Sequence, residues 1–291
     1  MKELLVIVLL CFSFSSVANP LIIAHRAGTD DAPENTLVAI DKSIENGVNA
    51  VWVTLQLTKD GVPVLYRPST LESLTNSKGL ISAYNWLELS SIDAGWSFGG
   101  EEHPFRGKNI GIPTLEQVLT HYPSTFFYLD IKSPDVEPKR FAEALAEVLK
   151  KTDSLKRVRV YSTEAKYLIA LPDNIPRFET RDETRTLLAN ISLSHTCNIY
   201  TKGAQARWYG LELKRDVEVV ETFTLGEGRS KATLTWDKEA IACFRASGNA
   251  HIIFFGINNP QDYQTAVELG ADGVMVNSPK KFIAIVGKRK N

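Results

Sequence analysis

The sequence predicts an α/β fold, a parallel β-sheet with helices packed outside it. Three observations carry this. Short, largely apolar runs, at 21–23 and 251–255, read as strands buried on both faces. Between such runs lie stretches with helical spacing, such as the stripe Phe141, Leu145, Val148 and Leu149, and strands that alternate with helices build parallel sheets. Finally, 291 residues, 44% hydrophobic and 23% charged, are globular in class and fit one large α/β barrel or two ordinary domains.

Taken in order, residues 21–23 predict the first strand. Residues 48–57 are a β-rich run, and 62–66 are another, set off by the turn Lys59-Asp60-Gly61. Residues 86–92 predict a short helix. Residues 115–119 begin a helix ahead of a strand at 126–131, and Pro138 opens the helix that carries the Phe141 stripe. A strand at 157–161, a helical piece at 167–171 and a strand at 177–179 follow. The chain closes with a strand at 251–255, a helix at 262–269 and a strand at 273–276. The segment 205–236 breaks the alternation: 208–213 and 217–223 read as strands, punctuated by Gly226-Glu227-Gly228. They fit a seventh strand of the sheet plus an excursion over its top. No internal repeat or low-complexity linker interrupts the chain.

A formal net charge of −1 gives no reason to expect nucleic acid or an anionic membrane as partner. The basic tail Gly287-Lys288-Arg289-Lys290 is short and reads as a solvated terminus. The first 18 residues read as a secretory signal: Lys2, an apolar run at 4–10 and the small-residue site Ser16-Val17-Ala18. That run is too short to span a bilayer, so residues 19–291 are expected as an exported domain, periplasmic or secreted, with no stable membrane anchor. Two cysteines remain in it, Cys197 and Cys243. They either pair in an oxidising compartment or stay as buried thiols.

The chemistry concentrates after the first strand. His25 and Arg26 leave its end, a loop with Gly28, Thr29, Asp30 and Asp31 follows, and Pro33-Glu34-Asn35-Thr36 reads as a helix opening. Pro suits the first turn, and Glu34 would sit near the positive end of the helix dipole. One strand end thus presents a base and a guanidinium, and the next helix start a carboxylate. This pattern resembles the glycerophosphodiester phosphodiesterase family, whose opening signature is His-Arg-Gly followed by Pro-Glu-Asn-Thr; Ala27 stands at the glycine position here. Further blocks follow in family order: residues 57–64 (LTKDGVPV), 74–80 (LTNSKGL), 112–116 (IPTLE), 129–132 (LDIK) and 270–274 (GADGV). Only about 182–249 shows little that matches. The resemblance implies a single-domain (β/α)8 TIM barrel with its site at the C-terminal ends of the strands.

The resembled enzymes hydrolyse glycerophosphodiesters with two histidines, a base and an acid. A divalent cation, commonly calcium, is held by three carboxylates. Carried over residue by residue, the resemblance places His25, Arg26, Glu34 and Asn35 in the site. Asp130 stands at the third carboxylate position, and Lys132 points to the same side of its strand. The other two carboxylates are here Trp52 and Thr54, and the second histidine with its Asp is Arg67 and Pro68. The Thr-Asp pair near the end of the family pattern is Val276 and Asn277. Calcium takes about six to eight oxygen ligands, so the family Ca2+ or Mg2+ site is expected to be lost, with no other cofactor; Asp130 alone would hold a metal weakly. Arg67 cannot act as a proton donor, but its guanidinium grips phosphate with two prongs.

Two functions remain open. One is a phosphodiester hydrolase that works weakly or without metal: His25 as base, Arg26, Arg67 and Lys132 replacing the cation's charge, and Glu34, Asn35 and Asp130 positioning the substrate. The other is a pseudoenzyme that keeps a cationic pocket for a small phosphodiester or phosphate ester. A proton donor in the pocket, such as Glu164, Glu212 or Tyr66, would favour the first. Each residue also has a plainer reading. His25 fits a hydrogen-bonded structural histidine, Arg26, Arg67 and Lys132 fit rim charges, Asp130 fits a partner for Lys132 or Arg67, and Glu34 fits a helix start. The sequence leaves the oligomeric state open.

Overall fold

The computed structural model describes residues 19–199, 206–246 and 248–287; the leader expected over 1–18 lies outside them. The first half runs β1 (Leu21–Ala24), α1 (Leu37–Glu45), β2 (Ala50–Leu57), β3 (Pro63–Leu65), α2 (Trp86–Leu89), α3 (Leu115–His121), β4 (Phe126–Ile131), α4 (Pro138–Lys151), β5 (Val158–Ser162) and α5 (Ala165–Ala170). The second half runs α6 (Arg181–Ser194), β6 (Arg207–Glu212), β7 (Lys214–Phe223), β8 (Gly226–Thr235), α7 (Lys238–Arg245), β9 (Ala250–Phe255), α8 (Pro260–Glu268), β10 (Gly273–Val276) and α9 (Pro279–Gly287). Local chemistry sets several starts. Thr36 and Asn259 cap α1 and α8 with their side chains, Thr114 and Gln117 form a capping box on α3, and proline opens α4 and α8.

Seven strands pair in parallel in the order β5-β4-β2-β1-β10-β9-β6. The gap between β5 and β6 is filled by residues 176–179. Phe178 N–H donates to Val160 O at 2.9 Å, and Glu179 N–H donates to Trp208 O at 2.8 Å. That eighth segment closes the (β/α)8 barrel. It also makes β6 the sixth barrel strand; the seventh is β9. The segment at 62–66 likewise departs from expectation: β3 runs antiparallel to β2, pairing Leu65 with Leu55, and lies outside the barrel order.

Side-chain direction follows the strand period of two. On β2, the odd residues Val51, Val53 and Leu55 pack beneath the helices. Trp52 points into the barrel with Ile23, Tyr128, Tyr161, Phe178, Ile253, Phe255 and Met275. Trp52 is the hub of this aromatic layer, with ring centroids 5.1–5.9 Å from Phe255, Tyr161, Tyr128 and Phe178. Thr54, two residues on, sits one layer nearer the mouth, in register with Asp130.

The unmatched segment resolves into α6, β6, a two-stranded ribbon and α7. The ribbon β7–β8 leaves the C-terminal end of β6, which is the mouth of the barrel, and its tip exposes Phe223 and Leu225. Its root joins the core through Leu213, Leu234 and Trp236. Cys197 and Cys243 form a disulfide that ties the chain after α6 to α7. Among the described residues no helix is long and apolar enough to cross a membrane.

Candidate functional site

The site is built where β1, β2, β4, residues 176–179, β6 and β10 end. β1 turns sharply: Arg26, Ala27 and Gly28 all lie in the left-handed region, with φ of 47°, 65° and 91°. Gly28 adopts this freely, whereas Ala27 is strained there. The turn lifts the two basic side chains to the mouth, and Asn35, also left-handed at φ 59°, folds the chain back so that its N–H donates to Arg26 O at 2.9 Å. The helix opens later than expected. Thr36 is the cap and α1 starts at Leu37, so Pro33 and Glu34 precede the helix. The Glu34 carboxylate accepts from Arg26 Nη1 at 2.8 Å instead of serving the first turn.

His25 and Asn277 meet across the junction of the first and last strands, with Nδ1 2.7 Å from Oδ1. With the amide oxygen accepting, Nδ1 carries the proton and Nε2 keeps its lone pair. Burial, then the neighbouring Arg26, and more weakly Arg67, pull the His25 pKa down from 6.5 to about 4, although the Asn277 bond opposes them. His25 is therefore neutral at ordinary pH and able to take a proton.

Asp130 ends β4 beneath the mouth. Burial pushes its pKa up to about 6, against Lys132, the indole N–H of Trp52 and Arg26, which favour the carboxylate. Lys132 Nζ lies 3.6 Å from Asp130 Oδ1 and donates to Thr163 Oγ1 at 2.6 Å. Burial lowers the Lys132 pKa, with Arg67 and Arg181 adding to the effect and Asp130 opposing it. Arg67 is exposed and acts electrostatically on both His25 and Lys132. It reaches the mouth by an unexpected route: the antiparallel β3 returns towards the barrel, and Tyr66 N–H pairs with Thr54 O at 3.0 Å. Asn35 is engaged as well as near, its Oδ1 accepting Thr54 N–H at 2.8 Å.

Two residues at the mouth escaped the sequence reading, and so did the pairing of Asn277 with His25. Arg181 follows the strand at 176–179, donates to both oxygens of Glu212 at 2.8 Å and to Tyr161 Oη at 3.1 Å. Arg215, at the ribbon root, holds the same carboxylate at 3.0 Å. The signal for Arg181 was available, since a charged residue just past a strand end belongs at a barrel mouth. Asn277 gave no such signal as the partner of His25, being 252 residues away in sequence.

None of the three expected proton donors fits that task. Glu212 is pushed up by burial, but Arg181, its own backbone and Arg215 outweigh this and hold it below the usual range as a carboxylate. Tyr66 spends its hydroxyl on Thr70 O and Leu71 O, and burial raises its pKa far above 10. Glu164 is half-exposed and paired with Lys166. His251, at the start of β9, lies at the opposite end of the barrel and stacks on Trp208 at 4.1 Å.

The residues present do not fit a calcium-type cation. One family ligand position is the Trp52 indole, another is the Thr54 hydroxyl, and Asp130 is a single shortened carboxylate. No three His, Cys, Asp or Glu side chains among the described residues converge to hold a metal.

The glycerophosphoryl diester phosphodiesterase family model matches residues 25–281. The chain belongs to this family. The uncharacterized protein Rv2277c of Mycobacterium tuberculosis is 40% identical over 268 residues, covering 90% of this chain and 88% of that one. The crystal structure of its phosphodiesterase domain superposes with a TM-score of 0.85 at 38% identity, over 92% of this chain and all of that one. A glycerophosphodiester phosphodiesterase of Bacillus altitudinis is 26% identical over 267 residues, 91% of this chain and 97% of that enzyme. An Oleispira antarctica phosphodiesterase, solved with its product sn-glycerol-3-phosphate, shares the fold at a TM-score of 0.67 and 21% identity, over 92% and 97% of the two chains. These relatives support a phosphodiester-hydrolase-like function for this family member.

Proposed function

We propose that the barrel mouth binds a small phosphodiester or phosphate ester without a divalent cation and hydrolyses it weakly. One observation carries this reading: two of the cation's ligand positions hold Trp52 and Thr54, while Arg67 lies within electrostatic reach of both Lys132 and the neutral base His25. Arg26, Arg67 and Lys132 supply the charge that a metal would otherwise bring to the phosphoryl oxygens. Arg26 is held in place by Glu34 and Lys132 by Thr163. His25 Nε2 takes a proton from the attacking hydroxyl or water, and Asn277 keeps the ring oriented without the negative charge that would stabilise an imidazolium. The Oleispira protein holds sn-glycerol-3-phosphate on the same fold, which supports a ligand of that class.

The reading as a pure binding protein has its own support. Glu212 is held as a carboxylate by two arginines, the Tyr66 hydroxyl is committed to backbone, and Glu164 is paired with Lys166, so none of these three replaces the second histidine. Turnover of glycerophosphocholine and of an aryl phosphodiester, with and without chelator, separates the two readings. Slow hydrolysis unchanged by chelator supports the hydrolase, binding without turnover supports the binding protein, and turnover abolished by chelator contradicts both. We also propose export to an oxidising compartment, which suits the Cys197–Cys243 disulfide; N-terminal sequencing of native protein starting near Asn19 is the expected result.

A further inference from the structure

The charge at the mouth exceeds what one phosphodiester can balance. Arg26 is matched by Glu34, Lys132 by Asp130 and Arg181 by Glu212. Arg215 shares the carboxylate that Arg181 already holds, and Arg67 forms no ion pair among the described residues. With these carboxylates ionised, two positive charges are left over, and a phosphodiester brings a single negative one. The surplus adjoins the phosphate pocket, because Arg67 and Arg181 both act electrostatically on Lys132.

Arg181, Glu212 and Arg215 are arranged to receive a second anion. Arg181 donates from Nη2 to both oxygens of Glu212 at 2.8 Å and from Nη1 to Tyr161 Oη at 3.1 Å, which fixes its guanidinium. Both Glu212 oxygens are thereby taken, so the carboxylate does not make this a site for a cation. Arg215 spends Nη1 on one of those oxygens at 3.0 Å, and its other N–H donors have no partner among the described residues. On β7, Arg215, Val217 and Val219 are half-buried while Lys214, Asp216 and Glu218 are exposed, so Arg215 lies on the covered face of the ribbon. A guanidinium anchored on one edge and open on the other grips a carboxylate or phosphate with two prongs. We propose that Arg215, seated on Glu212 beside Arg181, is a specificity-determining residue that binds a second anionic group, so that the ligand is a phosphodiester whose headgroup carries a carboxylate or phosphate. The assignment rests on the phosphate-ester reading above. It gives the ribbon, which carries no family motif, a part in choosing the ligand.

Two diesters that differ in one group test this: glycerophosphoglycerol, and glycerophosphoglycerate, in which a carboxylate replaces the terminal alcohol of the headgroup. Calorimetric titrations in chelator compare them on the wild-type protein, Arg215→Gln and Arg215→Lys. Wild type should bind the carboxylate ester about tenfold more tightly than the neutral one, the size of one charge-assisted hydrogen bond. Arg215→Gln should erase that preference and leave the affinity for glycerophosphoglycerol unchanged. Arg215→Lys should recover part of it, as an ammonium keeps the charge without the fork. Equal wild-type affinities for the two esters would overturn the anion site and leave the phosphate pocket standing. A preference that survives in Arg215→Gln would overturn it too. So would an equal loss for both esters in that variant, which would make Arg215 a structural support of the ribbon root. Absence of binding by either ester in the wild type would remove the phosphate-ester reading and the anion site with it.

Discussion

His25 and Asn277 hold each other across the seam where the first barrel strand meets the last, Nδ1 to Oδ1 at 2.7 Å. The partner is an amide, so it fixes the ring without charge. Replacing it by a carboxylate is therefore informative. Asn277→Asp should raise the His25 pKa from about 4 by roughly one unit or more, since a nearby anion favours the imidazolium. The His25 ring signals in an NMR pH titration read this directly.

The same depressed pKa sets a stability dependence. The folded state holds His25 neutral down to about 4, whereas the unfolded chain protonates it near 6.5. Between these values the unfolded state binds more protons, so stability is fully present above the unfolded pKa and falls as pH drops through the window. The loss should approach about 3 kcal/mol near the folded pKa. Denaturant melts of wild type and His25→Gln at pH 7 and pH 4.5 measure it; the variant should lack most of the extra loss.

Arg67→Ala should weaken phosphate-ester binding about tenfold or more, because a charge-assisted hydrogen bond is worth roughly 1.5–3 kcal/mol. Arg67→Lys should recover only part, as one ammonium lacks the two-pronged grip. Folding should change little, since Arg67 is exposed. Equal affinity in wild type and Arg67→Ala at low salt would mean that Arg67 does not replace the metal's charge.

Much of this molecule was legible from residues alone. The strands at 126–131 and 273–276 were read to the residue, because parallel strands buried on both faces are largely apolar, Asp130 at the mouth apart. The segment at 62–66 was read correctly as extended and wrongly as part of the barrel, since propensity marks a strand but not its neighbour or direction. That Trp52 and Thr54 stand where the resembled family has carboxylates was visible because the difference falls on single positions. The Arg181–Glu212–Arg215 cluster was not, because it is assembled from the end of one barrel strand and the root of the ribbon, in a segment that carries no family motif. The disulfide was open for the same reason: spacing does not give distance.

Trp52 has a second role that its sequence position did not disclose. It touches Tyr128, Tyr161, Phe178 and Phe255 at the centre of the barrel. Trp52→Ala should cost about 3–5 kcal/mol, and Trp52→Glu at least as much, since it buries a charge in an aromatic layer. Combining Trp52→Glu, Thr54→Asp and Arg67→His, which restores the family's residue types at these positions, should therefore give an unstable chain rather than a working metal enzyme; chemical denaturation of the triple variant checks this.

Reducing Cys197–Cys243, which closes a separation of 46 residues, should cost about 4 kcal/mol in the chain-entropy account. Thermal melts with and without reductant should differ by several degrees, with phosphate-ester affinity at low temperature unchanged, because the bridge ties helices outside the barrel.

Metal-free recognition is the core of the functional proposal, and one titration tests it most directly: sn-glycerol 3-phosphate binding in chelator against binding in millimolar calcium. The expected result is the same affinity in both, with calcium alone binding no more tightly than about millimolar, the weak end of protein calcium sites. Binding that appears only with calcium, or a micromolar calcium site at the barrel mouth, would contradict it.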